Sequence, residues 1–181
     1  MLSGVPVATR RPACEHAAMA TPLTGKRILV VDDEPDACEL IAEELAGATV
    51  DAAHTYAEAR ARLDAARYDL VILDIMGVRG FELLAEFGRK VPCIMLTAHH
   101  LRPPELERAI AGGALLFLPK DEIGSIALHA ARALAGGESL WPWLFKRVDF
   151  RELFGPSWTP PPAPGRLPSG PPADHPAGGA A

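Results

Sequence analysis

The residues best placed to do chemistry are Asp32, Asp33, Asp74, Thr97 and Lys120, because each stands at the end of a short aliphatic run. Asp32 and Asp33 follow Ile28–Val31, Asp74 follows Leu70–Leu73, Thr97 follows Cys93–Leu96, and Lys120 follows Leu115–Leu118 after one proline. If these runs are parallel strands, their C-terminal ends share one sheet edge. Three carboxylates, a hydroxyl and an ammonium then meet in one crevice. Carboxylates so grouped repel: two unit charges about 4 Å apart at an effective dielectric near 20 cost roughly 4 kcal/mol. A hard divalent cation relieves that repulsion, and an all-oxygen set suits Mg2+. Lys120 would hold a phosphoryl oxygen as a point charge, Thr97 would donate a hydrogen bond to another, and Asp74 would attack phosphorus as a carboxylate nucleophile. Neutralising, positioning and in-line displacement are what phosphoryl transfer requires.

Taken singly, each residue has a plainer explanation. Asp33 could cap a helix starting near Pro35. A lone aspartate after a strand is commonly a turn residue, and Lys120 by itself is a solvated cation. The chemical reading rests on all four strand ends carrying the right group in the right order.

The elements that must position these groups are legible in residues 26–136. Five short aliphatic runs, the four above (the last extended to Ala114–Leu118) and Val50–Ala53, are bounded by polar or turn residues, as buried parallel strands are. Helical patterns lie between and after them. Leu40, Ile41 and Leu45 recur over Asp36–Ala46; Ala57–Ala66 is rich in Ala and Arg; Phe81, Leu84 and Phe87 share a stripe over Phe81–Phe87. Glu105–Ala111 stops at Gly112–Gly113, and Ile123–Ala135, with Ile123, Ile126, Ala127, Ala130 and Leu134 on one stripe, stops at Gly136–Gly137. Strict alternation of strand and helix predicts an α/β fold, a doubly wound five-stranded parallel sheet. No Gly-x-Gly-x-x-Gly follows the first strand, which disfavours a dinucleotide site.

Composition sets the limits. The 181 residues hold 18 Lys plus Arg against 23 Asp plus Glu, a net charge of −5, which argues against charge-driven nucleic-acid binding. Cys14, Cys38 and Cys93 form no CxxC pair or even-numbered framework, so a reducing, cytoplasmic setting is expected. No apolar run approaches a membrane span. Residues 1–25 read as a disordered arm, within which Met19 is an alternative start. Residues 26–137 make the domain. Residues 138–155, which include Trp141, Trp143, Phe150 and Phe154, read as a helical aromatic appendage. Residues 156–181 hold nine of the eighteen prolines and read as a disordered tail.

Several stretches carry a resemblance: Arg27-Ile-Leu-Val-Val-Asp-Asp-Glu-Pro35, Asp69-Leu-Val-Ile-Leu-Asp-Ile-Met76, Gly80-Phe-Glu-Leu-Leu84, Met95-Leu-Thr-Ala98 and Gly113-Ala-Leu-Leu-Phe-Leu-Pro-Lys120. Residues 26–136 resemble the receiver domain of bacterial two-component response regulators, with its flavodoxin-like (βα)5 fold. The resemblance implies that Asp74 is the phosphoacceptor and that Asp33 binds Mg2+ directly, Asp32 through water. It also implies that the main-chain carbonyl of Met76 completes the protein ligands and that Thr97 and Lys120 contact the phosphoryl group. Phe117 sits where the family has its switch aromatic. Met76 and His99 lie where the family's attacking water passes. The implied phosphodonor is a histidine kinase or phosphotransfer protein.

Three departures stand out. Gly80 follows Asp74 by six residues where the family's loop glycine usually follows by eight, and the Met-Pro pair is missing, so the loop is two residues shorter. The order Pro119-Lys120-Asp121 predicts a trans Lys120–Asp121 bond. The switch position is Phe, not Tyr. An aspartate-nucleophile phosphatase of another family is disfavoured, because it usually has a second aspartate two residues on, where this chain has Met76. The 44 residues after Gly137 carry no helix-turn-helix pattern and no basic stripe, so no DNA-binding output is expected within them. The appendage would pack on its own receiver, or act as a helix-in-groove or self-association segment that forms a phosphorylation-dependent homodimer. Membrane insertion is disfavoured by its balanced charge. The competing function is a receiver-like module that binds proteins without phosphate.

Overall fold

The structure, a computed structural model, describes residues 23–98, 102–136, 140–141, 155–157 and 159. Strands and helices alternate: β1 Arg27–Val31, α1 Pro35–Glu44, β2 Thr49–Ala53, α2 Tyr56–Ala65, β3 Leu70–Asp74, α3 Gly80–Phe87, β4 Cys93–Thr97, α4 Pro103–Gly112, β5 Leu116–Pro119 and α5 Ile126–Gly136. A 3-10 helix, Lys120–Ser125, joins β5 to α5. The sheet is wholly parallel in the order β2-β1-β3-β4-β5, so the chain winds outward in both directions from β1 and β3. The topological switch lies between those two strands, where this class of sheet opens a crevice beyond its C-terminal ends.

Every residue of β3 and β4 is buried, which is why these stretches read as continuous aliphatic runs rather than alternating ones. One face packs Leu29, Val71, Leu73, Met95 and Phe117 under α2, α3 and α4. The other packs Ile28, Val30, Ile72, Ile94 and Leu116 under α1 and α5. No helix among the described residues is long and apolar enough to cross a membrane.

Local structure departs from the sequence expectation in several places. On α1 the buried stripe is Cys38, Ile41 and Leu45, while Leu40, expected on it, is exposed. The helix begins on Pro35 after the N-cap Glu34, which makes no side-chain cap, so Asp33 does not cap it. The α4 helix runs one residue past the expected stop and closes on Gly113, whose φ of +91° suits glycine. Ile123, expected on the last helical stripe, is buried in the 3-10 turn instead. There is no cis peptide among the described residues, as expected for Lys120–Asp121.

Both ends of the domain reach further than composition suggests. Leu23, placed in the expected arm, is buried against the α1/α5 core, because Leu23 O accepts a bond from Lys26 N at 3.0 Å and turns the chain inward. Past α5, Leu140 N donates to Leu115 O at 2.9 Å and Trp141 Nε1 donates to Ala114 O at 2.7 Å. Trp141 is completely buried, in the cluster that holds Phe117, Ala109 and Ile110. The α5 helix packs on the opposite face. Leu140 packs against the α1/α5 cluster and Trp141 lies within the α4 cluster, both beside the residues that lead into β5. At Leu140 and Trp141 the aromatic segment packs on its own domain. Trp143, Phe150 and Phe154 lie outside the described residues, as do nearly all of the expected arm and tail.

Candidate functional site

Four strand ends converge on the sheet edge at the switch point. Asp32 leaves β1 with its amide still bonded to Ala53 O at 3.1 Å, which keeps it in line with the strand and fully buried. Asp74 and Thr97 are the last residues of β3 and β4, in contrast to the expectation that they follow the strands, and both are buried. Lys120 opens the 3-10 helix directly after Pro119, which is in register with Thr97. Only Asp33 is exposed.

Lys120 ties the group together. Its Nζ lies 2.7 Å from Asp32 Oδ2 and 3.2 Å from Asp74 Oδ1. A third carboxylate, Glu34 Oε2, lies 3.5 Å away. Asp32 Oδ1 accepts from Glu34 N at 3.1 Å, and Asp74 Oδ2 accepts from the loop amides of Met76 at 2.9 Å and Gly77 at 3.1 Å. Oxygen atoms of Asp32, Asp33 and Asp74 all lie within 4.8 Å of one another. Burial pushes the Asp32 carboxyl above its ordinary value and the Asp74 charge adds to this, against the opposing pull of Lys120 and Glu34 N. Burial works to lower the Lys120 ammonium, but Asp32 and Asp74 outweigh it and hold its pKa above the usual lysine range.

The donor set fits a hard divalent cation. It is all oxygen, it carries three negative charges against one close ammonium, and Asp32 Oδ2 is buried with no aligned hydrogen bond. The raised Asp32 value has a consequence for stability. A carboxyl favoured in its protonated form by the fold contributes stability fully present below its ordinary value near 3.8, and loses it as pH rises through the folded value. The metal-free fold is therefore penalised at neutral pH, where a cation would bind the ionised form. Millimolar Mg2+ is expected to raise the melting temperature at neutral pH and to raise it much less near pH 4. Equal shifts at both pH values in a thermal melt would contradict this.

The remaining candidates take distinct places. Phe117 is fully buried on the α4 side of the sheet, one residue along β5 from Leu118, the partner of Leu96. Met76 is 71 % exposed, and its amide faces Asp74. His99 lies outside the described residues. Three contributors were not singled out from sequence. Glu34 pairs with Lys120; the acidic run Asp32-Asp33-Glu34 was the available signal. His54 follows β2 directly, so the strand-end rule could have found it. Its Nδ1 lies 3.0 Å from Asp32 O, which requires the Nδ1–H tautomer as donor. Cys38 Sγ also donates to Asp32 O, at 3.7 Å, and burial foremost, with Asp32 nearby, pushes its thiol up to about 11.

The shortened loop closes over this group. Residue 79 takes a left-handed conformation (φ 56°, ψ 46°), and its guanidinium stacks on the Tyr56 ring at 4.5 Å. Gly80 N returns to Ile75 O at 3.4 Å. A side chain at 80 would sit 2.0 Å from Asp74 O, so only glycine allows the helix to start so soon after the strand.

With that geometry in place, similarity to known proteins decides the family. Residues 28–131 match the response regulator receiver domain. The chain belongs to that family. It is 43 % identical over 105 residues to the transcriptional regulatory protein TcrA of Mycobacterium tuberculosis, a match taking in 54 % of this chain and 41 % of TcrA. The chain thus spans less than half the length of that relative. Among solved structures, the chemotaxis protein CheY4 of Vibrio cholerae is 29 % identical with a TM-score of 0.52, over 59 % of this chain and 98 % of that one. The response regulator TrrA of Thermotoga maritima, crystallised in complex with Mg2+-BeF, is 36 % identical with a TM-score of 0.50, over 58 % of this chain and 98 % of that one. The (βα)5 fold and the two-component receiver class expected from sequence are both borne out.

Proposed function

We propose that this receiver accepts a phosphoryl group on Asp74 from a histidine kinase or phosphotransfer protein and thereby switches a protein-interaction surface. The observation that carries the reading is Lys120 bridging Asp32 and Asp74, with Asp33 alongside. An Asp74 carboxylate oxygen attacks phosphorus, the new O–P bond forms as the donor's N–P bond breaks, and the leaving imidazole departs with its electron pair. Lys120 moves from its carboxylate partners toward a phosphoryl oxygen, and Thr97, one residue past the register partner of Asp74, donates to another. Mg2+ would be held by Asp32, Asp33, Asp74 and the Met76 carbonyl, and would neutralise charge on the transferring group. The similarity to TrrA supports that ion. Phe117 and Thr97 form the switch pair, since they stand on neighbouring strands, Phe117 two residues before Pro119, the register partner of Thr97. Output then depends on protein contacts made by the α4 face and by the segment beyond Trp141, with self-association as one form. No nucleic-acid contact or membrane insertion enters the reading, and a cytoplasmic setting accords with it.

The test is intact-protein mass spectrometry after incubation with Mg2+ and a small phosphodonor. The parent chain should gain about one phosphoryl mass, roughly 80 Da, and Asp74→Asn should gain none. Equal gain by both would place the phosphate elsewhere. No gain by either, together with no beryllofluoride binding, would leave the phosphate-independent binding module, whose support is the closed, shortened loop.

A further inference from the structure

We propose that Gly77 is a positioning residue of the site: bare backbone at 77 is pressed against Asp33 and orients that carboxylate for its metal. This rests on the metal-binding reading above and concerns a residue of the loop that follows β3. A Cβ built at 77 would lie 1.8 Å from Asp33 Oδ1, 2.0 Å from Cγ and 2.3 Å from Oδ2, inside the carboxylate itself. Nothing about the backbone demands glycine at 77. Its φ is not positive, unlike that of Gly25, Gly47, Gly113 and Gly155. The position needs glycine for space, and the space belongs to Asp33.

The loop cannot draw back to make room. Met76 N and Gly77 N are bonded to Asp74 Oδ2, Gly80 abuts Asp74 O, and Arg79 is held by the Tyr56 ring and by Glu82 at 3.9 Å. Asp33 can yield. Asp32 is held by Lys120 and Glu34 N, and Asp74 by Lys120 and the loop amides, but no hydrogen bond or ion pair among the described residues holds Asp33. Contact with the residue-77 backbone is therefore its main constraint. A methyl group at 77 displaces the one ligand that is free to turn, and leaves the rest of the fold in place.

The experiment is calorimetric titration of the full chain with MgCl2 alone, on the parent, Gly77→Ala, Asp33→Asn and the double variant. Gly77→Ala is expected to weaken Mg2+ about tenfold or more, the usual scale for losing support of a metal ligand. Its metal-free melting temperature should stay within about 2 °C of the parent. In the Asp33→Asn background, adding Gly77→Ala should change affinity by less than about twofold, because the group it displaces is no longer a charged ligand. A Gly77→Ala chain that binds like the parent, or that loses as much in both backgrounds, overturns the proposal. A parent that binds no Mg2+ overturns the metal site and this proposal together, so the two failures are distinguishable. Should Gly77→Ala fail to fold, two glycines inserted between Gly77 and Val78 add no Cβ but let the loop withdraw from Asp33. That variant should weaken Mg2+ in the same Asp33-dependent way, and parental affinity in it would equally overturn the proposal.

Discussion

Trp141→Ala is expected to destabilise the receiver by about 3–5 kcal/mol, the range for truncating a large buried aromatic. Trp141 lies ten residues beyond the span that matches the family, yet it has no exposed surface. Truncation removes an indole from the cluster that holds Phe117, Ile110 and Leu106, and leaves a cavity under α4. It also leaves Ala114 O without the 2.7 Å bond from Nε1. Trp141→Phe separates the two effects. It keeps most of the apolar volume and loses the donor, and should cost roughly 1–3 kcal/mol. Urea unfolding followed by circular dichroism measures both. Midpoints should fall with little change in slope. A loss under about 1 kcal/mol for Trp141→Ala would mean that residues after α5 are not part of the folding unit. The result matters for function, because the cluster that Trp141 completes is also the one that holds the proposed switch aromatic.

Lys120→Ala is expected to cost about 2–3 kcal/mol near neutral pH, less than the roughly 3–5 of a fully buried pair, because the Lys120 side chain keeps 17 % of its exposure. Removing the ammonium leaves Asp32 and Asp74 facing each other at the sheet edge, with Asp32 fully buried. The sign of the pH dependence follows from both partners. Lys120, raised above its ordinary 10.5, is charged and stabilising throughout the neutral range, and loses that contribution only as pH rises through its folded value. Asp32, raised above 3.8, takes up a proton on acidification and no longer needs the partner. The cost of Lys120→Ala should therefore shrink as pH falls toward 4, and millimolar Mg2+ should recover part of it at neutral pH. Chemical denaturation at several pH values, with and without Mg2+, reads this directly. A cost that does not vary with pH would mean that Lys120 acts through packing of its stem rather than through charge.

Most of the fold was legible because its signals are local. Leu70–Leu73 and Cys93–Leu96 are short aliphatic runs with turn residues at their ends, and a strand buried on both faces has no other composition. Alternation with helices then forces parallel order. Leu40 was misread because spacing gives the width of an apolar stripe but not its centre, and packing on β1 favoured Cys38, Ile41 and Leu45. The plainer reading of Asp33, as a helix cap, is not the one the fold takes. The chain turns into α1 one residue later, and the freed carboxylate lies beside Gly77.

The sequence alone determined which groups share the crevice. Asp32, Asp74, Thr97 and Lys120 are set at strand ends, and parallel strands cannot place their ends anywhere but along one edge. Tertiary structure alone decided which of them touch: Lys120 lies half an ångström nearer Asp32 than Asp74, it meets Glu34 from 86 residues away, and His54 reaches Asp32 O from the end of β2. It also decided that the core takes in Trp141. Whether Trp141 is a free aromatic or a core residue depends on the Ala114 carbonyl and the gap beneath α4, which are created only when β5 and α4 have packed. Local pattern records propensity and register. Contacts between residues distant in sequence depend on the relative placement of finished elements, and no short stretch of chain encodes that placement.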